Sequence, residues 1–341
     1  MMAWPSHEAF QAGLIRFLAS PEITNGNGSL YSWVNPEHPG FVYPEAMGLH
    51  LRLISVLASR TGDPGLKARA AEVAAGLGHE TPASGGVGME GYLYLFDTCM
   101  AVGGLHAWHR LLGGELDRDL LGRMAGFIVR LARNRQVLVD ADWKEPAPQP
   151  HWSRLFGAHM LKTVIALDAL HRETGEASYK SLALEIAEQV LDECYDDGIF
   201  RMGPGHQTVY CHAHCYALEG LLYLRAAGLR DESAVIAKGA ESLAGWQNED
   251  GGMSNWYEDP SRRTVRVGDA TAQTVRIWLA VDRKKYHDRI EKGLEFLKGL
   301  GSDMHGVRYS SASRDVNTIS STFAAQAFDW RLGEAQPEWL V

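Results

Sequence analysis

The chain has 341 residues, 45% of them hydrophobic and 22% charged, and a formal net charge of −9. That excess of acid argues against a nucleic-acid or anionic-membrane surface, and no apolar run reaches the roughly 18 residues that span a bilayer. Four irregularly spaced cysteines (Cys99, Cys194, Cys211 and Cys215) make no disulfide framework, and Met1 to Glu22 shows no basic stretch followed by an apolar core, so a cytoplasmic protein is expected.

In chain order, amphipathic segments rich in Ala, Leu, Lys, Arg and Glu alternate with more apolar ones. The amphipathic set is predicted near 6–19, 65–77, 117–133, 178–192, 231–247 and 285–299. In one of them Leu184, Ala187, Val190 and Leu191 make the apolar stripe between Glu185, Glu188 and Gln189. The second set is predicted near 44–60, 93–112, 157–174, 212–226, 269–281 and 317–331. It reads apolar nearly all round, as in Leu161 to Leu170 and Ala217 to Leu224, and a helix of that kind is buried on every side. From Glu45 to Asn317 the five steps average about 54 residues, two helices per step. The expected fold is all-α: one domain over 1–341, a closed (α/α)6 toroid of six helical hairpins.

Punctuation supports the hairpins. Pro44 suits a first helical turn, Asp269 and Asp315 read as N-caps, and Gly62 and Gly175 stop helices with tight turns. Loops from outer to inner helices are long, about 15 to 25 residues, and ordered loops of that length usually carry function. Closure of the ring brings the six inner-helix starts to one pole.

The chemistry-bearing residues gather at those starts. Asp97 ends an aromatic and apolar run from Tyr92, and Glu45 follows Tyr43-Pro44; a carboxyl in such surroundings needs a partner or a task, and burial suits it to general-acid work. The densest cluster runs from His206 to Cys215. His212 and His214 point about 200° apart on a helix and share no ligand sphere, so one of the two is expected to face the interior, with His159 as a further imidazole and Asp269 as a further carboxyl. Caps, core histidines and loop packing are the plain alternatives for each. The loops also supply aromatic walls for sugar rings, with Trp33, Tyr43, Tyr92, Trp152, Tyr210 and Trp256 foremost. Asp142, Asp315 and Asn317 complete the expected substrate-binding set. No cofactor is expected. Cys211 and Cys215, four apart, are read as small buried hydrophobes and the site as metal-independent, against a zinc alternative built on the His212–Cys215 cluster. No phosphate loop, nucleophile elbow or dinucleotide fingerprint stands out.

Tyr43-Pro44-Glu45, Thr61-Gly62-Asp63-Pro64, Phe96-Asp97-Thr98, His212 to Leu222, Asp315-Val316-Asn317-Thr318 and Gln326-Ala327-Phe328-Asp329-Trp330 together resemble the six-hairpin glycosidase-like toroids. That group includes glycoside hydrolases, unsaturated-uronyl hydrolases and sugar 2-epimerases, and the chain looks most like toroids encoded with bacterial exopolysaccharide genes. The resemblance implies a carbohydrate-active hydrolase, lyase or epimerase acting on a sugar or glycan fragment, with Asp97 and one of His212 or His214 as acid and base. Gln247-Asn248-Glu249-Asp250-Gly251-Gly252 and Asp269-Ala270-Thr271-Ala272 more distantly resemble the terpene-cyclase and prenyltransferase toroids, but the D-x-D-D acid of class II cyclases is missing. A non-catalytic glycan-binding toroid is the remaining alternative. Oligomeric state is not legible.

Proline at Leu167 or Leu221, each mid-way along an inner helix, is expected to cost roughly 3 kcal/mol or more and to abolish soluble expression, since no hairpin buries its apolar face alone. A wild-type circular dichroism spectrum from either variant would contradict the ring.

Overall fold

The computed structural model describes residues 6–38, 40–146, 151–257 and 264–341. Outer helices α1 (His7–Ala19), α3 (Pro64–Glu80), α5 (Arg118–Arg133), α7 (Ala177–Cys194), α9 (Ser233–Trp246) and α11 (His287–Gly299) alternate with inner helices α2 (Pro44–Thr61), α4 (Leu95–Leu112), α6 (Val164–Thr174), α8 (Cys211–Ala226), α10 (Gly268–Asp282) and α12 (Thr318–Leu332). Each inner helix packs on the next, and α12 returns to α2, so the inner ring closes; α1 packs on α12 and seals the outer ring. This is the (α/α)6 toroid expected from the repeat, with helix ends shifted by a few residues.

Several local expectations are corrected. The helix predicted over 157–174 is not continuous: Ala158–Thr163 winds as a 3-10 helix before α6 begins. Gly220 lets α8 approach this segment closely, since a Cβ on it would stand 2.3 Å from the Leu161 carbonyl oxygen. Neither predicted aspartate is an N-cap. Asp269 lies inside the first turn of α10, behind Val267, and its Oδ1 accepts from the Ala270 N–H at 2.7 Å. Asn317 caps α12 by accepting from the Ser320 N–H at 2.8 Å, while Asp315 sits outside the helix.

The two poles differ because the connections differ. Inner helices end quickly: Gly62, Gly113 and Gly175 take left-handed φ of 73°, 69° and 77° after α2, α4 and α6 and turn the chain straight into the next outer helix. The long outer-to-inner loops fold into short antiparallel pairs, one of which, Trp33↔Asn317 and Val34↔Val316, joins the first loop to the last and closes the ring at that pole. At the opposite pole the segment through the 3-10 turn Pro337–Trp339 tucks under the ring, and Leu340 and Val341 are fully buried.

Inner helices approach closely where glycines face each other. A Cβ on Gly48 of α2 would lie 2.2 Å from the Met100 carbonyl oxygen of α4, and one on Gly104 would meet Gly48 O at 2.5 Å. Gly48→Ala is therefore expected to cost about 1–3 kcal/mol by forcing the pair apart. Gly126, on the exposed face of α5 with open space around it, is the contrast: Gly126→Ala should stabilise by about 0.5–1 kcal/mol. Urea melts of the two variants should move in opposite directions.

Candidate active site

Counting from each inner-helix start places the side chains in layers around the ring axis. The second residue of each inner helix, with Ala158 as the start of the third, is Glu45, Phe96, His159, His212, Asp269 or Ile319. Asp97 follows Phe96. These residues form the layer nearest the loop pole, and the loops lay Trp152, Tyr210 and Trp256 over it. Glu45, Asp97 and His159, together with Tyr43, Tyr94, Phe96 and Trp152, line a cavity of about 110 Å³ that opens between them.

Glu45 is held on both oxygens: Tyr216 Oη donates to Oε1 at 2.7 Å, and Tyr43 Oη donates to Oε2. Burial raises its carboxyl above the ordinary value, opposed by the two tyrosines and Lys162. Asp97 is its neighbour and its opposite. Its Oδ2 is buried with no hydrogen-bond partner, and burial, then the charge of Glu45, push it well above the ordinary carboxylate range. The pair shares the site unequally: Glu45 is tied down by two hydroxyls, while Asp97 has an oxygen without a partner and is pushed further upward.

Opposite stand two neutral imidazoles. His159 is 1% exposed with neither ring nitrogen bonded, and burial lowers it to about 3. Burial and then Lys162 bring His212 to about 3 as well. Its Nδ1 is 3.7 Å from Asp269 Oδ2, so at neutral pH the contact joins a carboxylate and a neutral ring. Burial lifts Asp269 to about 6. Trp152 meets His159 and His212 edge-on, at 5.2 and 5.4 Å between ring centroids, and stacks on Tyr210 at 5.1 Å. Tyr210 in turn packs on Trp256 at 4.6 Å.

Not every expected residue reaches this layer. His214 is turned outward: its Nδ1 accepts from the Phe200 N–H at 3.0 Å and its Nε2 lies 3.3 Å from Gly239 O. It performs a structural task repeated around the ring. Thr98, Thr271 and Ser321, each the fourth residue of its helix, likewise accept an N–H from the preceding loop, of Val87, Met253 and Val307. Of the His212/His214 alternatives, His212 alone faces the interior. Asp142 is exposed in a turn beside Lys144, well outside the layer. Asp315 accepts from Asn35 Nδ2 at 2.7 Å, and with Asn317 it shapes the seam between first and last loops rather than the cavity. Trp33 reaches Tyr43 only through Phe41, and Tyr92 sits at the rim under the Arg154 guanidinium. Gln247 locks the turn at Gly251 to α11 through Gly251 O and Arg289 O, a structural reason for the Q-x-x-D-G-G phrase.

Charged residues deeper in the ring escaped sequence reasoning. Lys162, Glu219 and Arg276 are completely buried and bonded to one another, although the runs that hold them read as apolar. A single charge within a helix that is apolar on every face was the available signal. Among the described residues no group of three or more His, Cys, Asp and Glu side chains is placed to hold a metal, and all four cysteines are buried and unpaired.

No family model and no curated protein matches the chain. Solved structures do match in fold. A cellobiose 2-epimerase from Spirochaeta thermophila aligns over 96% of this chain and 98% of its own, with a TM-score of 0.71 at 16% identity. An unsaturated glucuronyl hydrolase from Bacillus sp. GL1 aligns over 99% of both chains (TM-score 0.68, 14% identity). A D-mannose isomerase aligns over 96% of this chain and 99% of its own (TM-score 0.69, 13% identity). The shared architecture runs end to end.

Five buried imidazoles carry a consequence for stability. Burial lowers His50, His159 and His212 to about 3 and His106 and His214 to about 4. Between the ordinary histidine value and those values the unfolded chain binds protons that the folded ring refuses, so stability falls as pH drops below about 6.5. The raised carboxyls of Glu45, Asp97 and Asp269 act the other way over part of that window, three groups against five. Urea midpoints should be lower at about pH 5 than at about pH 7. His50→Leu removes a ring with no partner on either nitrogen; it should hold its stability at neutral pH and flatten the slope by about one proton.

Proposed function

We propose that the protein catalyses proton transfer on a sugar, an epimerisation or isomerisation beside the carbonyl carbon of a reducing sugar or glycan fragment. The observation that carries this reading is a buried carboxyl with an unpartnered oxygen, Asp97, raised well above the ordinary carboxylate range, in the same layer as two buried imidazoles, one of them 3.7 Å from a carboxyl. His212 takes the proton from the carbon next to the carbonyl, and the imidazolium so formed is stabilised by Asp269. Asp97 donates its proton to the carbonyl oxygen, giving an enediol. The His212 imidazolium returns its proton to the former carbonyl carbon for isomerisation, and the O–H proton passes back to Asp97. For epimerisation His159, one inner helix away, delivers to the other face a proton it takes from solvent while His212 releases its own. Trp152 covers the ring between the two imidazoles, with Tyr210 and Trp256 extending the wall for a second sugar unit.

The fold neighbours support a carbohydrate substrate, since they are by name a cellobiose epimerase, a mannose isomerase and a glucuronyl hydrolase. Carboxyls and imidazoles set among aromatic rings suit a polyol better than a prenyl chain, which wants an apolar tunnel. A place in polysaccharide metabolism, in a reducing cytoplasmic compartment, is consistent with four free buried cysteines and with the resemblance to exopolysaccharide-associated toroids.

The test is incubation in deuterated water with reducing aldoses and reducing disaccharides, followed by proton NMR. Deuterium at C2, with growth of the epimer or ketose, is expected, and Asp97→Asn, His159→Gln and His212→Gln should each lower the rate by roughly 10²-fold or more. Cleavage of an unsaturated uronyl disaccharide without exchange at carbon would establish a hydrolase instead. Binding without turnover, unaffected by Asp97→Asn, would leave a glycan-binding toroid.

A further inference from the structure

Beneath the cavity the ring interior holds a buried charged trio. Lys162 Nζ donates to Glu219 Oε2 at 2.7 Å, and Arg276 Nη2 donates to Glu219 Oε1 at 2.5 Å. All three side chains are 0% exposed. Glu219 thus accepts from two cations at once, and charges held this deep need partners on every side. Arg276 turns its other nitrogen away from the cavity, to Gln326 Oε1 at 2.8 Å and the Val341 carbonyl. Lys162 faces the other way. Its Nζ lies 4.3 Å from the centroid of the Tyr216 ring, and the hydroxyl of that ring donates to Glu45. A cation on the face of a phenol draws electron density from its oxygen and strengthens the O–H as a donor.

We propose that Lys162 is a positioning residue of the site: acting through Tyr216, its charge keeps Glu45 ionised, and ionised Glu45 keeps the proton on Asp97. Three groups facing Glu45 favour its charge, and burial and two carboxyls oppose it. Tyr43 beside its own helix and Tyr216 from α8 donate to it, Lys162 from the 3-10 segment attracts it, and Asp97 from α4 and Asp269 from α10 repel a second negative charge. Helix α12 contributes Phe323, whose ring lies 5.1 Å from Lys162 Nζ and carries no charge. Burial brings Lys162 down to about 8, so its charge is in place at neutral pH.

The Asp97 half of this inference rests on the acid role proposed above; the Glu45 half does not, and the test separates them. Protein labelled with carbon-13 at Asp and Glu side-chain carboxyls is titrated by NMR, with Glu45 and Asp97 assigned from Glu45→Gln and Asp97→Asn. In the wild type at about pH 6, Glu45 should be ionised and Asp97 protonated; the reverse order overturns the proposal without any further variant. In Lys162→Gln, which keeps a donor for Glu219 and removes the charge, the Glu45 step should rise by at least about one pH unit. Lys162→Met serves where the glutamine variant does not fold. An unmoved Glu45 step in a folded variant overturns the proposal. The acid limb of the exchange rate should rise by the same amount. A Glu45 step that moves while the acid limb stays would uphold the charge relay and remove Asp97 and Glu45 from catalysis.

Discussion

Helices buried on every side have no solvent-facing stripe on which to place a charge. Every buried ionisable residue of the six inner helices is therefore bonded within the ring, left neutral, or brought to the one end where a cavity opens. The rest of the structure follows from that constraint. Glu219 is paired twice, the imidazoles of His50, His159 and His212 are held neutral, and the carboxyls that stay near the loop pole are pushed upward, Asp97 well above the ordinary range. Burial that would be only a cost in a structural protein becomes, at an open pole, the means of holding acids and bases in the form opposite to the one water would give them.

The same geometry sorts residues by depth. Second positions form the layer nearest the loop pole, three of them (Glu45, Phe96 and His159) lining the cavity; fourth positions fasten the loops, and ninth positions (Arg52, Glu219, Arg276 and Gln326) build the floor. The floor is closed by the chain itself: Arg52 donates to the carbonyls of Leu340 and Glu338 at 2.8 and 2.6 Å, and Gln326 donates to Trp339 O at 2.9 Å. Backbone carbonyls are suitable partners for buried arginines because they accept hydrogen bonds without adding charge. One pole is thus sealed by main chain and the other is free for a ligand.

Much of this was legible in the sequence. The alternation of amphipathic and all-round apolar helices gave twelve helices within a few residues of their observed ends, and the starts of the inner helices pointed to Glu45, Asp97, His159, His212 and Asp269. What escaped was of two kinds. Periodicity reports burial but not which neighbour a buried side chain meets, so His214 and His212 looked alike until His214 was seen fastened to Phe200 and Gly239. Residues such as Asp142 and Asp315 lie in loops whose course depends on contacts far away in sequence, and the strand pairing between Trp33 and Asn317 has no local pattern to announce it. The 3-10 segment Ala158–Thr163 lies against Gly220 of another helix, a close approach that is again beyond local reading.

Five of the inner helices, α6 excepted, begin at the loop pole, and each N-terminal end carries a fraction of positive charge. Glu45, Asp97 and Asp269 all lie in first turns, where the helix dipole alone would lower a carboxyl. All three are nonetheless raised, with burial the largest cause each time. Desolvation therefore outweighs the dipoles for the resting groups. The dipoles are not lost by being outweighed: a reaction that places negative charge on a substrate oxygen in this volume meets converging helix N-termini already oriented toward it, with no reorganisation needed. A pole that disfavours ionised side chains while favouring a transient oxyanion is suited to proton transfer beside a carbonyl, and both properties come from the way the ring closes.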